Sequence, residues 1–197
     1  MPFALVSALS AALHAVQPLP AVEPAFLQAD VAVRPPPAFI AFCRTWPEEC
    51  ATSPEREIRA DARTLALLLA VNASVNHMIE PQAEAPGVDE WRLGVARGDC
   101  DEYALAKRSR LLDLGLPVSA LRLAVARTSG GERHLVLAVR TDRGDLVLDN
   151  LTDAILPVDR AALVFEMIQS PDKARGWAAP EPALAGPDAV AVTPVAR

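Results

Sequence analysis

The segment Gly98–Tyr103 holds the chain's most chemically loaded run: Gly98, Asp99, Cys100, Asp101, Glu102 and Tyr103. It falls where a loop should give way to a helix. A thiol at such a junction lies at the positive end of the helix dipole, which favours thiolate. Backbone N–H groups at the same end can hold a developing oxyanion. A cysteine nucleophile also needs a base, and the base needs an acceptor that orients it. His134 opens an expected strand and Asp149 closes the next one, followed by Asn150. If the two strands pair as a hairpin, about 4.8 Å apart, the imidazole can reach the carboxylate. Taken singly, each residue has a plainer reading: a core thiol, a strand-edge histidine, a turn aspartate. In combination they have the order that a helix-then-sheet thiol enzyme requires.

The three acids Asp99, Asp101 and Glu102 work against a thiolate, because like charge raises a thiol's pKa. Acids are also common in a first helical turn for the sake of the helix alone. A hard cation with oxygen ligands, such as Ca²⁺, would cancel the repulsion. Asp99 and Glu102 are three apart and can share a helix face.

These residues need elements to carry them. A helix is expected from about Asp99 to Leu114, with Gly115 as a left-handed C-cap and Pro117 beyond it. Three β-rich runs follow, over 118–127, 134–140 and 145–149, split by the turn-like stretches 128–131 and 141–144, so an antiparallel meander is expected. Before the nucleophile, Ser53 as N-cap and Pro54 in the first turn predict a helix to about Met78. A loop then runs from Pro81 to Gly98. Residues 155–169 form an element of unassigned type, and Trp177 is the expected last anchor.

The ends differ from this middle. Met1–Val16 is apolar and reads as a signal-peptide h-region without its basic n-region, or as an apolar amino-terminal helix. Residues 17–37 are Pro-rich and read as a linker, 38–177 as the domain, and 178–197 as a Pro/Ala-rich tail. Cys43 and Cys50 can close a short disulfide in an exported protein, or stand as reduced buried thiols in a cytosolic one. Of the 197 residues, 25 are acidic and 19 basic, a net charge of −6. That balance disfavours general binding to nucleic acid. Beyond the amino terminus no apolar run reaches the roughly 18 residues of a membrane span.

Several ordered pieces of the chain resemble a known family. They are Phe39–Cys43 with Pro47 and Cys50; Val71, Asn72, Val75, Asn76 and Ile79 with Asp89–Trp91; Gly98–Lys107; His134–Leu137; and Gly144–Asn150. The resemblance is to the bacterial transglutaminase-like cysteine peptidases, related to LapG-type periplasmic proteases, and spans about residues 38–177. It implies an α+β, papain-like transglutaminase-core fold. It implies Cys100 as nucleophile, His134 as base and acid, and Asp149 as orienter. It further implies calcium at Asp99, Asp101 and Glu102, a protein substrate such as a cell-surface adhesin, periplasmic location, and a membrane receptor that sequesters the enzyme. The family more often has Glu and then Asp after the cysteine, and here Asp101 and Glu102 are exchanged. The segment from Pro81 to Trp91 is also shorter and richer in proline. Two further readings stand beside it: a binding or regulatory module of the same fold with little turnover, and an amidase or transglutaminase acting on another amide.

Overall fold

The structure, a computed structural model, describes residues 23–180. The first 22 residues and residues 181–197 lie outside it, and with them the expected signal peptide and most of the expected tail. In chain order the elements are β1 (Val31–Val33), α1 (Pro37–Thr45), α2 (Ala62–Met78), β2 (Glu80–Pro81), β3 (Arg97–Gly98), α3 (Cys100–Asp113), β4 (Leu121–Thr128), β5 (Arg133–Thr141), β6 (Gly144–Leu148), β7 (Leu156–Pro157), β8 (Leu163–Gln169) and β9 (Trp177–Ala179). Seven strands make one antiparallel sheet in the order β1-β9-β8-β4-β5-β6-β7. The expected meander is its centre, β4-β5-β6. The unassigned stretch 155–169 supplies β7 and β8. β2 and β3 pair separately as a two-residue parallel bridge that closes the loop before the nucleophile.

Both faces of the sheet are covered, which is why β4 and β5 are buried along nearly their whole length instead of alternating. On one face Leu121, Leu123, Val125, Leu135, Leu137 and Val139 pack with residues of α1, α2 and α3. On the other, Ala124, Val136, Ala138, Val147 and Ile168 pack with Leu27 and Val158. Leu27 lies in the segment expected to be a linker. The described part of that segment differs from the expectation: it supplies β1 and covers the back of the sheet, because Ala25, Leu27 and Ala29 are apolar and meet an otherwise open apolar face. At the other end, Ala178 and Ala179 extend β9 past the expected boundary at Trp177.

The helix expected from Ser53 begins instead at Ala62. Asp61 is its N-cap and accepts from Thr64 N at 2.9 Å. Ser53 is engaged elsewhere: it exchanges hydrogen bonds with Ser119, N to Oγ, at 2.8 and 3.1 Å. α3 starts and stops where the sequence predicts, with Gly115 at φ +86° as the left-handed residue beyond its end.

Cys43 and Cys50 are joined as a disulfide, with Cα atoms 5.7 Å apart. The bridge ties α1 to the turn that carries Glu49. That residue faces Arg108, which is fully buried on α3 and donates to Glu49 O, to the Glu49 carboxylate and to Leu121 O. Three aromatic rings complete the frame: Phe39 lies 5.8 Å from Trp91 and 5.3 Å from Trp177, centroid to centroid. They pin the loop before the nucleophile to α1 and to β9.

Candidate active site

Cys100 is the first residue of α3, half-buried, and the sole free cysteine among the described residues. Its position follows from a capping box. Asp99 Oδ1 accepts from Asp101 N at 3.2 Å, and Glu102 Oε2 accepts from Asp99 N at 3.1 Å. The caps occupy the N–H groups on either side of Cys100 and leave its own N–H without a hydrogen-bond partner among the described residues. Gly98 makes the box possible, because a Cβ there would stand 2.5 Å from Glu102 Oε2.

The three acids do not act as one group. The ligand atoms of Asp99, Cys100 and Asp101 all lie within 4.8 Å of one another. Glu102 is turned away: besides capping, its Oε1 accepts from Arg92 N at 3.3 Å and pairs with Arg92 Nε at 3.5 Å. Its place as the third helical residue, where a glutamate reaches back to the cap, explains the separation. Burial and then the neighbours Asp99, Asp89 and Glu102 push the Asp101 carboxyl up to about 8. Burial, then Asp101 and Asp99, push the Cys100 thiol well above its ordinary value, opposed by the Leu135 N–H. The thiol donates to Asp101 Oδ1 at 3.6 Å.

His134 stands at the start of β5, beside that Leu135. Its Nε2 donates to Asp149 Oδ1 at 2.7 Å, with both side chains almost fully enclosed. The β5–β6 register pairs Leu137 with Leu148, so His134 and Asp149 meet on a diagonal across the hairpin. Leu151 N also donates to Asp149 Oδ1, at 3.0 Å. Burial pushes the Asp149 carboxyl up. The His134 hydrogen bond, the Leu151 N–H and the charges of His134 and Lys107 outweigh it and hold the carboxyl below the ordinary range. An ionised carboxylate only accepts, so Nε2 carries the proton and Nδ1 is the imidazole's free lone pair.

Cys100 and His134 line one cleft of about 380 Å³, walled by Glu84, Val88, Asp89 and Arg133. A larger recess of about 520 Å³ between residues 82 and 98 contains none of Cys100, His134 and Asp149.

Three residues around Asp149 belong to the stretches that resemble the family, but the sequence assigns them no chemical role. Asn76 Nδ2 donates to Asp149 O, Thr152 O and Asp153 Oδ1 at 3.0–3.1 Å, and Asn72 Nδ2 to Thr152 O and Asp153 O at 2.9 and 3.1 Å. Lys107, fully buried, lies in the field of Asp149 and Asp153. The available signal was spacing: two amides four apart on an apolar helix, and a lysine seven residues after the cysteine on the same helix face.

A family profile described as bacterial transglutaminase-like cysteine proteinase matches residues 29–183. No curated protein matches the chain. Among solved structures, the calcium-bound LapG of Legionella pneumophila aligns with a TM-score of 0.52 at 23% identity, over 61% of this chain and 71% of that one. The EGTA-treated form of the same protein aligns with a TM-score of 0.50 at 22% identity, over 61% and 69%. These are likenesses of fold, and with the family match they identify the α+β architecture as transglutaminase-like.

Proposed function

This chain belongs to the bacterial transglutaminase-like cysteine proteinases, and from that premise we propose that Cys100, His134 and Asp149 are the triad with which it cleaves a peptide bond in a protein substrate. The observation that carries the reading is the 2.7 Å contact from His134 Nε2 to Asp149, at the wall of the cleft that Cys100 enters from a helix start.

The steps follow from which atoms are free. His134 Nδ1 takes the Cys100 proton, and the thiolate sulfur attacks the carbonyl carbon. The charge that develops on the carbonyl oxygen is met by the unused Cys100 N–H at the positive end of α3. The imidazolium, steadied by Asp149, then protonates the leaving amine, and a thioester remains. Water, deprotonated at His134, releases the acid and restores the thiol. An amine in place of water would make the same site a transamidase.

A hard cation fits part of the acidic group. Asp99 and Asp101 offer carboxylate oxygens within 4.8 Å of each other, and burial, with Asp99 as the next largest cause, pushes Asp101 up to about 8. A calcium ion held there by Asp99 and Asp101 would supply positive charge beside the thiol. Glu102 is left in the capping box. The calcium-bound LapG supports this choice of ion.

Our reading places the enzyme in the periplasm, with a cell-surface adhesin as substrate and a membrane receptor as its sequestering partner. The Cys43–Cys50 disulfide supports an oxidising compartment. No helix among the described residues is long and apolar enough to cross a membrane. One observation favours the alternative, a binding module with negligible turnover: the raised Cys100 thiol. Alkylation of Cys100 by iodoacetamide separates the two. Modification that collapses in His134→Ala supports the enzyme, and indifference to that change supports the module. A Cys100→Ala protein that still cleaved its substrate would overturn the triad. Calorimetric titration with Ca²⁺ should show binding that Asp99→Asn and Asp101→Asn abolish and Glu102→Gln weakens far less.

A further inference from the structure

We propose that Lys107 is a positioning residue of this site: its buried ammonium, carried on the same face of α3 as Cys100, holds the Asp149 carboxylate against His134. The proposal rests on the triad reading above. Seven residues make two helical turns less about 20°, so Lys107 sits roughly 10 Å along the helix from the nucleophile and on its side. It is fully buried, with Nζ 5.9 Å from the centroid of the Tyr103 ring. That ring is fixed by the Tyr103 hydroxyl, which donates to Ile79 O at 2.6 Å.

The charges that answer the ammonium are Asp149 and Asp153, at the two ends of the turn after β6. Asp153 is already paired at the surface with His77, at 3.1 Å. The turn itself is gripped by α2 through Asn72 and Asn76, and every one of those bonds uses the amide nitrogen. Both Oδ1 atoms are left buried and without a donor. The turn that carries both carboxylates is thus held through its backbone, with two buried acceptors of α2 left unanswered beside it.

A buried ammonium costs several kcal/mol unless charge answers it, and an apolar side chain of similar shape would fill the space. The catalytic cycle supplies a reason to keep it. His134 alternates between neutral and charged, and whenever it is neutral Asp149 would be a buried carboxylate with no counter-charge. Lys107 provides one that does not cycle with the reaction. Burial pushes Lys107 down to about 7, against the pull of Asp149 and Asp153, so it is charged at mildly acidic pH.

The test is the rate of Cys100 alkylation by iodoacetamide at pH 6, with Cys43 and Cys50 held as a disulfide. Lys107→Met and Lys107→Gln should each slow it about tenfold, and Lys107→Arg should keep it within about threefold. In an Asp149→Asn background, Lys107→Met should produce no further loss. A wild-type rate in both neutral variants overturns the proposal. So does an equal loss with and without Asp149, or an arginine variant as slow as the neutral ones. If neither neutral variant folds, Lys107 serves the fold alone and the proposal fails. Indifference of the rate to His134→Ala would instead sink the triad itself.

Discussion

β6 carries a buried aspartate near its start, Asp145, and another, Asp149, directly after its end, and the two are treated in opposite ways. Asp145 is saturated. Its carboxylate accepts from Leu27 N at 2.7 Å, from Arg122 at 3.1 Å and from Arg140 at 2.5 and 3.1 Å. Two guanidiniums meet one acid, and the bonds stitch the amino-terminal segment to the back of the sheet. Asp149 receives one imidazole, one backbone N–H and the more distant charge of Lys107. A carboxylate saturated by arginines is fixed, because arginine does not give up its proton in a protein. One that faces an imidazole keeps a partner whose proton can move. The same residue type, four positions apart, serves as a rivet at the start of β6 and, in the proposed mechanism, as an orienter just past its end.

The sharpest way to break this contrast is Asp149→Asn. It should lower kcat/KM by about 10²–10⁴-fold while the protein still unfolds cooperatively near the wild-type temperature. Full activity in that variant would make Asp149 a second rivet. Next comes Asp145→Ala, which leaves Arg122 and Arg140 buried without their carboxylate. Urea denaturation should show a loss of about 3–5 kcal/mol, with turnover per folded molecule unchanged.

Reducing the Cys43–Cys50 bridge should cost about 2–3 kcal/mol and raise the count of titratable thiols from one to three. That result would show that the frame under α3 is held independently of either aspartate. The smallest effect is in acid. Asp149 is depressed in the folded protein, so its contribution is complete above the ordinary carboxylate range and is lost as pH falls through the depressed value. Asp149→Asn should remove that part of the acid-side loss of stability.

The contrast also marks what was legible in the sequence. α3, the meander and the order of Cys100, His134 and Asp149 are legible because local signals specify them: Asp99 and Glu102 frame a helix start, Gly115 and Pro117 end it, and β-rich runs meet at turns. The start of α2 is not legible at Ser53, since that hydroxyl accepts from Ser119 N, 66 residues away. The role of residues 23–36 was hidden for the same reason. Proline-rich composition suggests a linker, whereas Leu27 and Asp145 are joined across 118 residues. Spacing and the family resemblance group Glu102 with Asp99 and Asp101, whereas its commitment to the cap and to Arg92 depends on a loop whose path the sequence does not specify. Lys107 and the two asparagines were visible as residue types, but their meaning lies in a turn that only the folded sheet brings beside them.

The placement of the three cysteines along the chain has a consequence for how the protein is made. An oxidising compartment that closes Cys43–Cys50 also exposes Cys100 to mispairing while the chain is still unfolded. The native partners are 7 residues apart, whereas Cys50 and Cys100 are separated by 50. Loop-closure entropy favours the shorter ring by about 1.7 kcal/mol, on the order of twentyfold in encounter. The local bridge therefore forms first and consumes the competing thiols, and the reactive sulfur reaches its place at the start of α3 still reduced. The disulfide thus guards the proposed nucleophile against mispairing as well as bracing the fold.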